Sequence, residues 1–372
     1  MKKVTCRSLK ILLACAIVIF SMKAASLSVF AYEDDYSAVT INTSAKSFFA
    51  TKSYDSWEEK WYYNQYDTAT FDVVVGGLNG KTLDSTNLDI DINRDAYAGY
   101  TIMGNNTTNG TCVVRIYVGR VPMSNAKITL TFGDDWYDDI IAKRYITVNC
   151  YGVNLSGGGN GYVIKGKTKQ LKVSGYGGNV TWKSSKPKVV SVTSKGKIKA
   201  LKEGSALITA TLPDGTKLGY VANAVSNSRY KIIKKANYIG SHWKYSQSRR
   251  MSNGYYDCSS LVWKDYKAGG RKLVNGGYAP TAADIAKWCV KHKKIPKGKA
   301  TTNFDKMVYK PGALIFGTGA KNGRYKGIYH VEMFTGYQFG GFYNGKAIIN
   351  TLWGNRGVNY GYGYSNLVAQ PF

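Results

Sequence analysis

A thiolate nucleophile needs a base, and this chain offers few of either. The 372 residues hold six cysteines and three histidines. Cys258 has the most reactive setting. It follows Asp257, a favourable helix N-cap, and opens the run CSSLVWKDYK, which leads to Gly269. A helix N-terminus carries about half a positive charge. That field favours the thiolate, and such sites lower a cysteine pKa to roughly 3.5–7.5. The competing fate is that of a small buried hydrophobe. Cys289 is expected to have that fate, because it lies mid-helix on an apolar stripe with Ile285 and Trp288.

The base must come from His242, His292 or His330. His292 shares the stripe of Cys289, and Lys293 and Lys294 oppose its protonated form. His242 precedes Trp243 in a loop before the cysteine, where it could line a cleft. His330 lies in the strand-like run IYHVEMF, where a sheet holds an imidazole rigidly for proton transfer. The nucleophile would then sit on a helix and the base on a sheet, with a third polar group orienting the ring. Asn350, on the following run AIINTLWG, is the preferred orienter. Glu332, on the strand face of His330, is its rival. Three histidines are too few for a histidine-rich zinc hydrolase. This chemistry requires no metal or organic cofactor.

The elements that would position these groups occupy residues 226–372. Helix signals come first. KIIKKANYIG is apolar-periodic and ends at a glycine, the Cys258 helix follows, and Thr281 opens a third helix carrying Ile285, Trp288, Cys289 and His292. Then come strands: GALIFG, IYHVEMFTGY and KAIINTLWG. Helices followed by strands predict an α+β domain.

Residues 32–150 read as all-β. FDVVVGG, TCVVRIYV, AKITLTF and RYITVNC are separated by Gly, Asn and Asp clusters, which predicts a sandwich. The aromatic cluster Trp57 to Tyr63 either stacks on sugars or fills the sandwich edge. Cys112 and Cys150 lie in two of these strands and are candidates for a disulfide. The next domain spans 151–225: beyond a glycine-rich joint at Ser156 to Gly161, residues 162–225 alternate apolar and polar residues in KQLKVSG, NVTWKSS, KVVSVTS, GKIKAL and SALITATL, with Trp182 as the expected core anchor.

Residues 1–31 read as an address. A basic start precedes an apolar run of about twelve residues, short for a bilayer span of about twenty, and Val29-Phe30-Ala31 suits signal-peptide cleavage. An uncleaved anchor or a lipid-modified Cys15 are the alternatives. The expected mature protein is secreted, extracellular or cell-wall associated, a monomer with no stable membrane span. Its charge is divided: residues 32–150 carry net −6 and residues 151–372 net +29, the latter with only seven acidic residues. Outside the cytoplasm such a basic surface meets anionic wall polymers rather than nucleic acid. The composition, 44% hydrophobic and 20% charged, excludes a polytopic membrane protein and a wholly disordered chain.

Two resemblances sharpen these expectations. TWKSS, VVSVTSKGKIKAL, Gly204 and ALITATL resemble the bacterial immunoglobulin-like domain, group 2, which implies a spacer or adhesion module on a cell-surface protein. DCSSLVW, YKPGALIF and IYHVEMFTG resemble the NlpC-type cell-wall cysteine peptidases over about 140 residues from roughly Tyr230. That family implies a reduced papain-like fold and a peptidoglycan endopeptidase cleaving a stem peptide between D-glutamate and a diamino acid. Carried over, Cys258 is the nucleophile, His330 the base and Asn350 the third polar residue. Asp257 and Ser259 would meet substrate, and Trp243 and Tyr245 echo the family's Tyr-x-Trp-Gly-Gly groove. Ser260 stands where glycine is usual, Glu332 replaces the glycine after His-Val, and Ala313 replaces an aspartate. The expected architecture is therefore two all-β immunoglobulin-like sandwich segments followed by an α+β papain-like domain. An amidase releasing whole stem peptides, or a non-catalytic wall-binding adhesion protein, are the alternative functions.

Overall fold

The computed structural model describes residues 34–55, 57–64, 67–133, 141–296, 304–305, 309–319, 321–354 and 364–372. The proposed signal segment 1–31 lies outside them. The first unit is a sandwich of two four-stranded sheets. One runs in the order Thr40–Asn42, Thr68–Gly76, Thr111–Gly119, Ala98–Asn106, and the other Lys46–Ala50, Ala142–Gly152, Met123–Phe132, Leu88–Ile92. Period-two alternation sends Val73, Val75, Val114 and Ile116 of one sheet and Ile128, Leu130, Ile146 and Val148 of the other into one core. Cys112 and Cys150 are buried in that core as free thiols, one on each sheet.

The second unit packs a four-stranded sheet (Asn160–Ile164, Lys217–Val225, Gly204–Thr211, Thr181–Ser184) on a three-stranded one (Thr168–Gln170, Lys197–Ala200, Val190–Val192). Trp182 is half-buried between two clusters of this unit. Its ring lies against the backbone of Gly196, where φ is +75° and a Cβ would come within 2.6 Å of the indole.

The third unit begins without a linker. The strand Lys217–Val225 passes through Ser226, an N-cap accepting from the Arg229 N–H, into helix α1 (Asn227–His242). Helices α2 (Cys258–Ala268) and α3 (Ala282–Lys291) follow. Strands β1 (Ala313–Thr318), β2 (Ile328–Tyr343), β3 (Lys346–Trp353) and β4 (Tyr364–Ala369) form an antiparallel sheet in the order β3-β2-β1-β4. Ile232 and Ile239 of α1, Leu261 and Val262 of α2, and Ile285 of α3 pack with Phe316, Val331 and Met333 of the sheet. No helix among the described residues is long and apolar enough to cross a membrane.

The three units share their interfaces. Asn223 of the second unit donates to the Tyr337 carbonyl (2.9 Å) and accepts from the Tyr337 N–H (3.0 Å) while receiving the Ser205 hydroxyl (2.7 Å), all buried. Gly336 has φ of +147°, and a Cβ there would collide with the Asn223 amide. Arg229 of α1 is buried against Glu203 of the second unit at 3.2 Å and donates to the Pro311 carbonyl. Arg120 of the first unit donates to Thr216 of the second at 3.0 Å.

Candidate active site

Helix α2 is capped at its start by a closed box. The Asp257 carboxylate accepts from the Ser260 N–H at 2.7 Å, and the Ser260 hydroxyl accepts from the Asp257 N–H at 2.9 Å. The serine in place of the usual glycine therefore does structural work, filling the role that Glu or Gln plays in the common capping box. Cys258 is the first residue of the helix, and its amide belongs to the donor end of the helix dipole.

Arg250 fixes this corner from outside the helix. Its Nε is 3.3 Å from Asp257 Oδ2, and its Nη2 donates to the Ser259 hydroxyl and to the carbonyls of Ala279 and Pro280. Asp257 and Ser259 are buried in this network. Both were expected to meet substrate, but the structure gives their polar atoms to the helix start and to Arg250. The physical reason is the cost of leaving a buried carboxylate unpaired.

His330 stands on β2 opposite Gly317 of β1, where a Cβ would come within 3.3 Å of the His330 Cβ. Its Nε2 is 3.4 Å from Glu332 Oε1, two residues along the same strand and so on the same face. Burial by itself would push His330 down. Hydrogen bonds to the Cys258 side chain and to Glu332, with the charges of both, outweigh it and raise the imidazole to about 9. With Nε2 turned to Glu332, Nδ1 is the nitrogen left for the cysteine. Cys258, His330 and Glu332 are all less than a tenth exposed.

Asn350 does not join them. It pairs with Gln338 on β2, eight residues beyond His330, about 26 Å of extended strand at roughly 3.3 Å per residue. Two register shifts in the β2–β3 pair, at Phe334/Gly336 and Phe339/Gly341, set that alignment. The position of the third polar group belongs to Glu332.

Tyr245 does reach the site. It follows Trp243 and Lys244 after α1, and its ring meets Tyr256 edge-on. The phenol oxygen accepts from the Cys258 backbone N–H, and burial of the hydroxyl end together with the Cys258 charge raises its pKa. Trp243 is turned to another use: half-buried against the helical core, its ring lies under the ammonium groups of Lys235 and Lys264. The two remaining histidines stack on their own helices, His242 on Tyr238 and His292 on Trp288, each donating from Nδ1 to the carbonyl four residues back. Cys289 is fully buried and its thiol is pushed up to about 12.

Arg250 is the functional-site residue that sequence reasoning missed. It lies in a Ser-, Arg- and Asn-rich loop with no periodicity, and only its fold-level return to Asp257 reveals it.

The family match covers the middle of the chain. Residues 160–221 match the bacterial Ig-like domain, group 2. An uncharacterized protein of Clostridium acetobutylicum is 44% identical over 61 residues, which is 16% of this chain and 6% of that protein. This chain thus spans a small fraction of its curated relative. Among solved structures, a C-terminal 282-residue fragment of intimin, solved with the intimin-binding domain of its translocated receptor, aligns over 72% of this chain and 86% of the fragment, with 14% identity and a TM-score of 0.29. Invasin, titled a bacterial integrin-binding protein, aligns over 50% of this chain and 39% of its own, with 15% identity and a TM-score of 0.31.

Proposed function

We propose that this protein is a cysteine hydrolase of extracellular peptide amides, acting on the stem peptides of peptidoglycan. The observation that carries the reading is one arrangement. A cysteine at a capped helix start is hydrogen-bonded to a histidine, and that bond together with a buried carboxylate favours the protonated histidine. Only seven acidic residues occur in residues 151–372, and one of them is spent here.

The Cys258 thiolate attacks the carbonyl carbon of the scissile amide. The C=O electrons move onto oxygen, and the Cys258 backbone N–H at the helix start faces that oxyanion. Tyr245 borders the same amide and can turn its hydroxyl to the oxyanion as a second donor. The tetrahedral adduct collapses, His330 hands its proton to the leaving amine, and a thioester remains. Water, deprotonated by His330, hydrolyses the thioester and restores the thiolate–imidazolium pair. Glu332 keeps the ring oriented through the cycle and favours its protonated form at the start of each turnover. The family resemblance favours the D-glutamyl to diamino acid bond, and an amidase would use the same groups.

The matched immunoglobulin-like domain supports a second reading of a different class, a cell-surface protein that binds without cleaving. Mass spectrometry of peptidoglycan digested with the mature chain separates the two. New muropeptides that vanish with Cys258→Ala identify a hydrolase, and their masses name the bond. Identical digests on walls of several crosslink types give the binding reading. In either case the net +29 of residues 151–372 predicts wall retention that weakens as salt rises, read by co-sedimentation with isolated walls between 50 and 500 mM NaCl at roughly the range where the Debye length shrinks below about 10 Å.

A further inference from the structure

Away from the cysteine, the three units enclose a cavity of about 330 Å³. This lies at the small end of ligand sites, which run roughly 300–1,000 Å³. Each unit contributes a wall. Trp61 comes from the first unit's hairpin (Lys52–Asp55 with Lys60–Tyr63), Gly159 and Gly219 from the second unit, and Phe339 and Phe342 from β2.

The glycines are required there. At Gly159, with φ of +87°, a Cβ would come within 2.7 Å of the Trp61 ring, and at Gly219 within 2.4 Å of the Phe339 ring. These aromatic rings therefore lie directly on backbone: Phe339 is buried, while Trp61 and Phe342 stay half-buried beside the open volume. The rim is polar: Lys52, Lys217 and Asn154 line it. Phe339 and Phe342 lie nine and twelve residues along β2 from His330, so the cavity is separate from the cysteine site.

We infer that this three-unit cavity binds a short oligosaccharide bearing carboxylate groups. A sugar ring uses both halves of the lining. Its apolar C–H face packs on an aromatic ring, while its hydroxyl and acetamido edge meets the Asn154 amide and the ammonium groups. An acyl chain would leave the two lysines and the amide unused. Lys217, exposed at the lining, favours an anionic substituent on the sugar, and the Lys52 ammonium over Tyr63 adds to the positive charge nearby. This inference does not rest on the hydrolase reading, since it requires nothing of Cys258.

The test is calorimetric titration of the mature chain carrying Cys258→Ala with two probes: a neutral N-acetylglucosamine tetramer and a glycan fragment containing N-acetylmuramic acid. Both are expected to bind saturably, the carboxylate-bearing one at least fivefold tighter. Trp61→Ala should weaken both at least tenfold. Lys217→Glu, an exposed change at the start of a strand, should abolish the preference between them. Cys258 alkylation in the Trp61→Ala chain with its cysteine intact should proceed at the wild-type rate, which shows that the variant is folded and that the two sites are independent. Failure of both sugars to bind, binding that Trp61→Ala leaves intact, or binding of sugar-free stem peptides in place of the glycans would overturn the inference.

Discussion

Burial separates the four described cysteines. The Cys150 thiol is pushed up to about 11 and Cys289 to about 12, and burial also raises Cys112, whereas Cys258 faces an imidazolium. Iodoacetamide at pH 7 should therefore modify one residue, with mass spectrometry placing the label on Cys258 and leaving the other three below about one tenth of its rate. The histidine sets the upper pH limit. Its folded pKa is raised from 6.5 to about 9, so the imidazolium that faces Cys258 is present below pH 9 and lost as pH rises through it. The stability it contributes follows the same sign, full below about pH 6.5 and gone above 9. Glu332→Gln removes one of the charges that hold the proton. The alkaline limb of the alkylation and hydrolysis profiles should move down by about one pH unit, while Asn350→Ala should leave both profiles unmoved. Tyr245→Phe tests the oxyanion role, with an expected fall in kcat of about 100-fold and little change in alkylation rate.

Among the elements, the start of α2 combines the proposed nucleophile with a local stability device. Ser260→Gly opens the capping box and should cost about 1 kcal/mol by denaturant titration. Asp257→Ala also leaves Arg250 uncompensated and should cost about 3 kcal/mol or more. Asp265, later on the same helix, has the opposite sign. It is fully buried, and desolvation raises its pKa well above the usual carboxylate range despite Lys235 and Lys264. A raised folded pKa means that stability is lost as pH climbs above the unfolded value of about 4. Asp265→Asn should thus stabilise the protein at pH 8 and be nearly neutral at pH 4. Helices of this kind were legible because their signals are local: Asp257 and Thr281 cap where expected, and the apolar stripe of α3 is buried as its spacing requires. Strand β2 was legible only to Tyr337. Its continuation to Tyr343 runs over Gly340 and Gly341, where the pairing is irregular. The choice of Asn350 over Glu332 failed for the same reason. Register across a bulged pair is a property of the sheet and leaves no mark in spacing, whereas Glu332 at i+2 was on the correct face by strand period alone.

Across the whole molecule, the immunoglobulin-like unit is bonded into the third unit rather than strung to it. Asn223 carries the tightest part of that joint. Asn223→Leu leaves the buried N–H and C=O of Tyr337 without partners, at a cost of about 1–3 kcal/mol for each. Differential scanning calorimetry should then show the single transition of the intact chain split into two as the units uncouple. The divided composition made three segments visible in the sequence, but their mutual contacts rest on single residues such as Gly159, whose carbonyl accepts from both Val221 of the second unit and Phe339 of the third. The missing linker between Val225 and Asn227 also bears on how the proposed hydrolase would meet a polymer. A tethered domain sweeps a volume and samples every bond within its leash. Here the strand turns into the helix at Ser226 with no slack, so the bearing of Cys258 is inherited from whatever surface holds the first two units. Its working range is then an angle rather than a radius, and only bonds presented along that angle are within its grasp.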